Sequence, residues 1–166
     1  PAEIFSECAD LFRCFSPQVF HVGGPGAGAM MKLVTNLALG LHRAVLAETL
    51  VFAEKLGIAP ALALEVLRAS PAASRIMESK GTKMVNADYA PVARLSQHLK
   101  DVRLILEAGA QKGQELPLSR VHKALLERCE SMGLGALDNA AIIEALRGNS
   151  GGFQCTDCRD ESSGMR

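Results

Sequence analysis

A chain of 166 residues, 48% hydrophobic and 22% charged, has the size and composition of one globular domain, or of one domain with the fringe of another, whose core needs neither metal nor disulfide staples. Eighteen Lys and Arg balance eighteen Asp and Glu, aromatics are 4% and Trp is absent, so neither the basic face nor the stacking platform of a nucleic-acid binder is present. No uninterrupted apolar run reaches the roughly 18 residues of a membrane span, the start lacks a basic-then-apolar leader, and five scattered cysteines fit a reducing compartment, either the cytoplasm or, in a eukaryote, the mitochondrial matrix.

In chain order, Ile4, Phe5, Cys8, Leu11, Phe12 and Phe15 recur at helical spacing and predict a helix over 2–15, broken by Ser16-Pro17. Val19 to Val22 is a β-like run ending at Gly23-Gly24-Pro25-Gly26-Ala27-Gly28. A lone strand leaves its backbone groups without partners, so this helix and strand are expected to be the closing elements of a larger unit. Residues 27–56 then predict one long helix, apolar on almost every side and therefore expected to be the buried centre of the fold. Gly57 suits its C-terminal end and Pro60 the start of the next helix.

Helices are expected over 60–69 and 74–84, the second interrupted by Gly81, then a loop over 86–91. Leu95, Leu99, Val102, Ile105 and Leu106 mark a helix over 95–112, and Leu118, Val121, Leu125, Leu126 and Cys129 another over 117–132. Asp138 is placed to cap a last helix running through Leu146. The Gly- and Ser-rich stretch 148–166 is expected to be disordered. Its Cys155-x-x-Cys158 is half a zinc site without a second pair, so no metal is expected. Cys8, Cys14 and Cys129 sit on apolar stripes and read as core. His21, His42, His98 and His122 show no common ligand spacing and read as structural.

The residues that can carry chemistry sit at the start of the long helix. Gly28, Lys32, Asn36 and Gly40 follow one another at four-residue intervals, so a cation and an amide share a stripe framed by residues without bulk. A lysine held in that apolar setting is expected to have its pKa lowered from about 10.4 by desolvation, which suits it to exchange a proton at working pH. The competing reading is a lysine whose stem packs and whose ammonium reaches water. The preceding glycines can let backbone approach a ligand at a helix N-terminus, or serve as a hinge. They are not the dinucleotide fingerprint, since no strand–helix–strand unit with a following acid surrounds them.

The run Gly26-Ala-Gly28-Ala-Met-Met-Lys32-Leu-Val-Thr-Asn36 resembles the GxGxxxKxxxN signature of the β-hydroxyacid dehydrogenase family, whose members include 3-hydroxyisobutyrate and tartronate-semialdehyde dehydrogenases. Leu99-Lys100-Asp101-Val102 is similar to the family's KD motif, and Gly135-Ala-Leu-Asp138-Asn-Ala-Ala141 to its GxxDxSA run. The resemblance covers residues 1–147 in family order, with Thr35 standing where many members have Asn. It implies an all-α fold: a helical bundle around a long buried central helix, like the C-terminal domain of 6-phosphogluconate dehydrogenase, preceded by a helix–strand stub of a Rossmann domain. Residues 1–24 would be that stub, 25–147 the catalytic and dimerisation domain, and 148–166 a tail.

The resemblance further implies an oxidoreductase that interconverts a 3-hydroxy acid and its semialdehyde using NAD or NADP. Lys32 would be the catalytic proton donor and acceptor, Asn36 and Gly28 would bind substrate, and Lys100 with Asp101 would face the cofactor. Family members carry GxGxxG and a substrate-binding Ser-Gly-Gly loop on an N-terminal Rossmann domain, and neither lies ahead of the helical part here. The chain is therefore expected to be inactive alone, to form a homo-oligomer, and to meet no nucleic acid or membrane. The alternative is a non-enzymatic oligomerisation module with the same fold. Retention of Lys32, Asn36 and Lys100 favours the enzyme.

Overall fold

In the computed structural model the described residues are 2–148. The chain opens with two short helices, α1 (Ala2–Glu7) and α2 (Ala9–Arg13), rather than the single helix expected over 2–15. The break falls at Cys8, and Phe5 still stacks on Phe12 with ring centroids 5.2 Å apart. Residues 19–22 form no strand, and none occurs elsewhere among the described residues. The physical reason is the one that made the run conspicuous: a strand is held by hydrogen bonds to a neighbour, and no neighbour lies beside it.

Gly26, in the left-handed region at φ 87°, turns the chain into helix α3 (Ala27–Lys55). Helix α4 (Pro60–Ala69) begins on its proline, whose missing N–H would have had no helical partner. The expected 74–84 helix is not stopped by Gly81. It runs on through a π-helical turn (Met77–Gly81) into α5 (Thr82–Val85). The widened turn brings Met77, Lys80 and Gly81 inward together. Helices α6 (Leu95–Gln111) and α7 (Pro117–Ser131) follow, then a 3-10 turn (Asn139–Ala141) leading into α8 (Ile142–Arg147).

The core forms where α3, α6, α7 and α8 meet. Leu46, Ala47 and Leu50 of α3 pack with Leu95, Leu99 and Val102 of α6, Leu125, Leu126 and Cys129 of α7, and Ile142 and Ile143 of α8. Each fully buried Leu or Ile contributes about 1.5–3 kcal/mol. Only Cys129 of the cysteines expected in the core is buried; Cys14 is exposed and Cys8 half-buried.

The expectation that α3 is buried on every side is corrected. From Gly40 onward it enters the core through Gly40, Arg43, Leu46, Ala47, Leu50 and Ala53, while residues 27–39 include no buried residue. Met30, Val34, Val45 and Phe52 are each more than half exposed. Helix α3 has the length and hydropathy of a membrane span, but half of it is the centre of this bundle. The expected tail segment with Cys155 and Cys158 lies outside the described residues, apart from Gly148.

Candidate functional site

Helix α3 presents Gly28, Lys32, Asn36 and Gly40 along one side, and α6 runs antiparallel to it there. Asn36 meets Asp101, and one turn further along α3 Gly40 meets His98, one turn earlier on α6. The half-buried Asn36 donates from Nδ2 to Asp101 Oδ2 at 3.1 Å across a sequence separation of 65 residues. An ionised carboxylate only accepts, so the amide orientation is fixed by chemistry: Nδ2 is turned to Asp101, and Oδ1 remains an acceptor for a donor elsewhere.

Lys32 lies one turn before Asn36 and is exposed, so the desolvating environment expected from its apolar neighbours is absent around it within this chain. Its ammonium makes no ion pair or side-chain hydrogen bond with the described residues, and neither does that of exposed Lys100. Lys32 instead borders an open cleft of about 480 Å³, lined on one side by Gly28, Met31, Lys32 and Thr35 and on the other by Phe12, Phe15, Val19 and Phe20. A Cβ placed on Gly24, Gly26 or Gly28 would meet nothing within 4 Å, so packing within the chain does not demand these glycines, although the positive φ of Gly26 does favour one. They leave the first N–H groups of α3 open to approach.

Beneath this stripe lies a polar cluster built on two of the four histidines, which share no spacing in the sequence. The imidazoles of His98 and His122 lie with centroids 5.2 Å apart, against Gly40 and near the buried guanidinium of Arg43. Burial, then the Arg43 cation, hold His122 down to about 4. Burial, Arg43, His122 and Lys80 hold His98 down to about 3. Both rings are therefore neutral at pH 7. Burial also lowers Arg43 to about 10, with Asp138 pulling the other way. No spacing rule links positions 40, 43, 98 and 122, which come from three helices. The remaining histidines differ: His21 lies 5.2 Å from the Phe5 ring, and His42 is exposed.

Asp138 caps the final helical segment as expected, accepting from the Ala140 N–H at 3.0 Å. The same carboxylate accepts from the Val92 and Ala93 amides at 3.0 and 3.1 Å and from Lys80 Nζ at 2.7 and 2.9 Å. Burial pushes it up, but Lys80 and the three amides outweigh that and hold it at about 2. It joins the π-helical turn, the 92–94 segment and the start of α8. This is a structural role, and the candidate site is the Lys32–Asn36–Asp101 stripe with Lys100 beside it.

The all-α bundle carries an exposed lysine and a fixed amide on its longest helix, as the resemblance to the hydroxyacid dehydrogenases implies. Comparison with known proteins agrees. Residues 26–146 match the family model described as NAD-binding of NADP-dependent 3-hydroxyisobutyrate dehydrogenase. Glyoxylate/succinic semialdehyde reductase 1 of Arabidopsis thaliana is 31% identical over 144 residues, 87% of this chain and 50% of that protein. 2-(Hydroxymethyl)glutarate dehydrogenase of Eubacterium barkeri is 34% identical over 142 residues, 85% of this chain and 47% of that protein. The crystal structure of 3-hydroxyisobutyrate dehydrogenase from Salmonella typhimurium superposes with a TM-score of 0.80 at 24% identity, covering 84% of this chain and 50% of that one. The chain belongs to the 3-hydroxyisobutyrate dehydrogenase-like family of β-hydroxyacid dehydrogenases. It spans about half the length of the curated relatives it matches.

Proposed function

We propose that this chain is the helical part of an NAD(P)-dependent oxidoreductase that interconverts a 3-hydroxy acid and its semialdehyde, with Lys32 as the general acid and base. The observation that carries this reading is the pairing of an uncommitted Lys32 with an Asn36 whose amide is held by Asp101, on the stripe that the family model covers. The semialdehyde and hydroxy-acid substrates in the relatives' names support this substrate class.

The residues present suit a dinucleotide at this edge. The open glycine backbone at the start of α3 offers N–H groups, and Lys100 offers an uncommitted cation to a phosphate or a ring carbonyl. When bound, NAD or NADP supplies or accepts the hydride. The chain's own contribution is the proton. In the oxidative direction Lys32 Nζ takes the proton from the substrate hydroxyl as its carbon loses hydride, and in reduction it returns that proton to the carbonyl oxygen. The second N–H of Asn36 Nδ2, the one not bonded to Asp101, donates to the substrate oxygen and holds it beside Lys32. Gly28 leaves room at the mouth.

Lys32 is exposed within this chain, and a dinucleotide-binding domain, a second subunit, or both would supply the cover that excludes water from the reacting groups. The exposed apolar face of α3 supports a homo-oligomer. The competing reading, a non-enzymatic assembly module, has no use for Lys32, Asn36 and Lys100 together.

The test is Lys32→Ala in a protein joining this chain to a dinucleotide-binding domain, with reduced-cofactor absorbance followed on a panel of semialdehydes and hydroxy acids. General acid–base catalysis is worth about 10²–10⁴-fold, so kcat should fall by that factor while subunit assembly is kept. Unchanged turnover refutes the assignment.

A further inference from the structure

Glycine in the middle of a helix is disfavoured against alanine because it loses more backbone freedom on folding. Gly26, which opens α3, has a positive φ that favours glycine, but Gly40 is not among the positive-φ glycines, so its backbone does not ask for one. What Gly40 provides is absence of bulk. A Cβ there would lie 2.6 Å from His122 Cε1 and 2.7 Å from His98 Nε2. Those neighbours are rigid rings, 2% and 7% exposed, so they cannot swing aside as the end of a long side chain can. Relieving the contact to an ordinary 3.4 Å would require His122 to retreat by about 0.8 Å.

One turn away on the same two helices, Asn36 Nδ2 and Asp101 Oδ2 are 3.1 Å apart. Few tenths of an ångström separate that distance from the limit at which the hydrogen bond is lost. Helix α6 carries both His98 and Asp101 on its inner side, so pushing His98 off α3 moves Asp101 with it.

We propose that Gly40 is a positioning residue for Asn36: by admitting the His98 and His122 rings against α3, it sets the α3–α6 separation at which Asp101 can hold the Asn36 amide. Its importance for turnover rests on Asn36 being the substrate-binding amide proposed above. The spacing itself can be measured without any activity.

The experiment is nuclear magnetic resonance of the 166-residue chain, following the Asn36 side-chain amide protons. Asp101→Ala provides the reference for an uncoupled amide. In the unmodified chain the proton bonded to Asp101 should be shifted and should exchange with water about tenfold more slowly than in that reference. Gly40→Ala should bring shift and exchange to the reference values while the Leu126 and Ile142 methyl resonances keep the core pattern. The triple variant Gly40→Ala, His98→Ala, His122→Ala gives the added methyl room and should recover the original Asn36 signature. It also carries the test if Gly40→Ala alone does not fold. A Gly40→Ala chain that folds with the Asn36 signature intact overturns the proposal, as does a triple variant that fails to recover it. Neither result touches Lys32 catalysis, whose own failure would be read in turnover.

Discussion

Acidification should unfold this domain far sooner than its carboxylates would require, and the cause is the His98–His122 pair. In the folded chain these imidazoles are held at about 3 and about 4, first by burial and then by the Arg43 cation. In the unfolded chain both return to about 6.5. The unfolded state therefore binds protons that the folded state refuses, so stability is complete above about pH 6.5 and falls as the pH drops towards the folded values. Each imidazole costs up to about 1.4 kcal/mol per pH unit inside that window, the slope starting at half that value at about pH 6.5, so going from pH 6.5 to pH 5 should remove about 3 kcal/mol from the pair. Against a typical domain stability of about 5–15 kcal/mol that is a large share, equivalent to a drop of roughly 10 °C in Tm for a chain of this size.

The groups that face the pair are Arg43 on α3 and the Lys80–Asp138 ion pair. Asp138, held at about 2 when folded against about 3.9 unfolded, loses its contribution only below about pH 4, outside this window. Urea unfolding followed by far-UV circular dichroism at fixed ionic strength, from pH 7.5 to 4.5, measures the slope. Imidazole carbon shifts of His98 and His122 that do not titrate between pH 7 and 5 in the folded chain would corroborate the cause. An unfolding free energy that stays flat to within about 1 kcal/mol from pH 7 to pH 5 would refute the reasoning.

Lys80→Met leaves the fully buried Asp138 carboxylate without its cation, and removing one partner of such a pair costs about 3–5 kcal/mol; urea midpoints of the variant and the parent chain check this, and a shift below about 1 kcal/mol would show that the three amides suffice. Val34→Glu with Phe52→Glu should leave the core intact, since both side chains are exposed, yet should reduce the proposed homo-oligomer to a monomer in sedimentation at micromolar concentration; an unchanged oligomer would refute the placing of the interface on this face of α3. Lys32→Arg keeps a cation that does not deprotonate near neutrality, so in a protein joining this chain to a dinucleotide-binding domain it should be as inactive as Lys32→Ala; recovery of turnover by arginine would make the residue an anion binder rather than a proton carrier.

The sequence determined the punctuation of this protein. Pro60 and Pro117 open their helices, α3 begins beyond Gly26 and closes before Gly57, and Asp138 caps the last segment, all as local backbone rules require. The Lys32–Asn36 stripe was equally legible, because a four-residue interval on a helix fixes a shared side whatever the rest of the chain does. Tertiary structure decided what covers each face. Apolar periodicity showed that α3 could be buried all round, but not that the bundle would cover only its second half, because the pattern does not reveal how much partner surface is available. The 19–22 run has strand composition and no strand, since pairing depends on a neighbour rather than on the run itself. Asn36 with Asp101, Lys80 with Asp138, and Gly40 with His98 and His122 join positions far apart in the chain. No local rule records such distances. They are set by how the helical segments pack, and the closeness of α3, α6 and α7 joins two of the four scattered histidines in a buried pair and turns a free asparagine into an oriented amide.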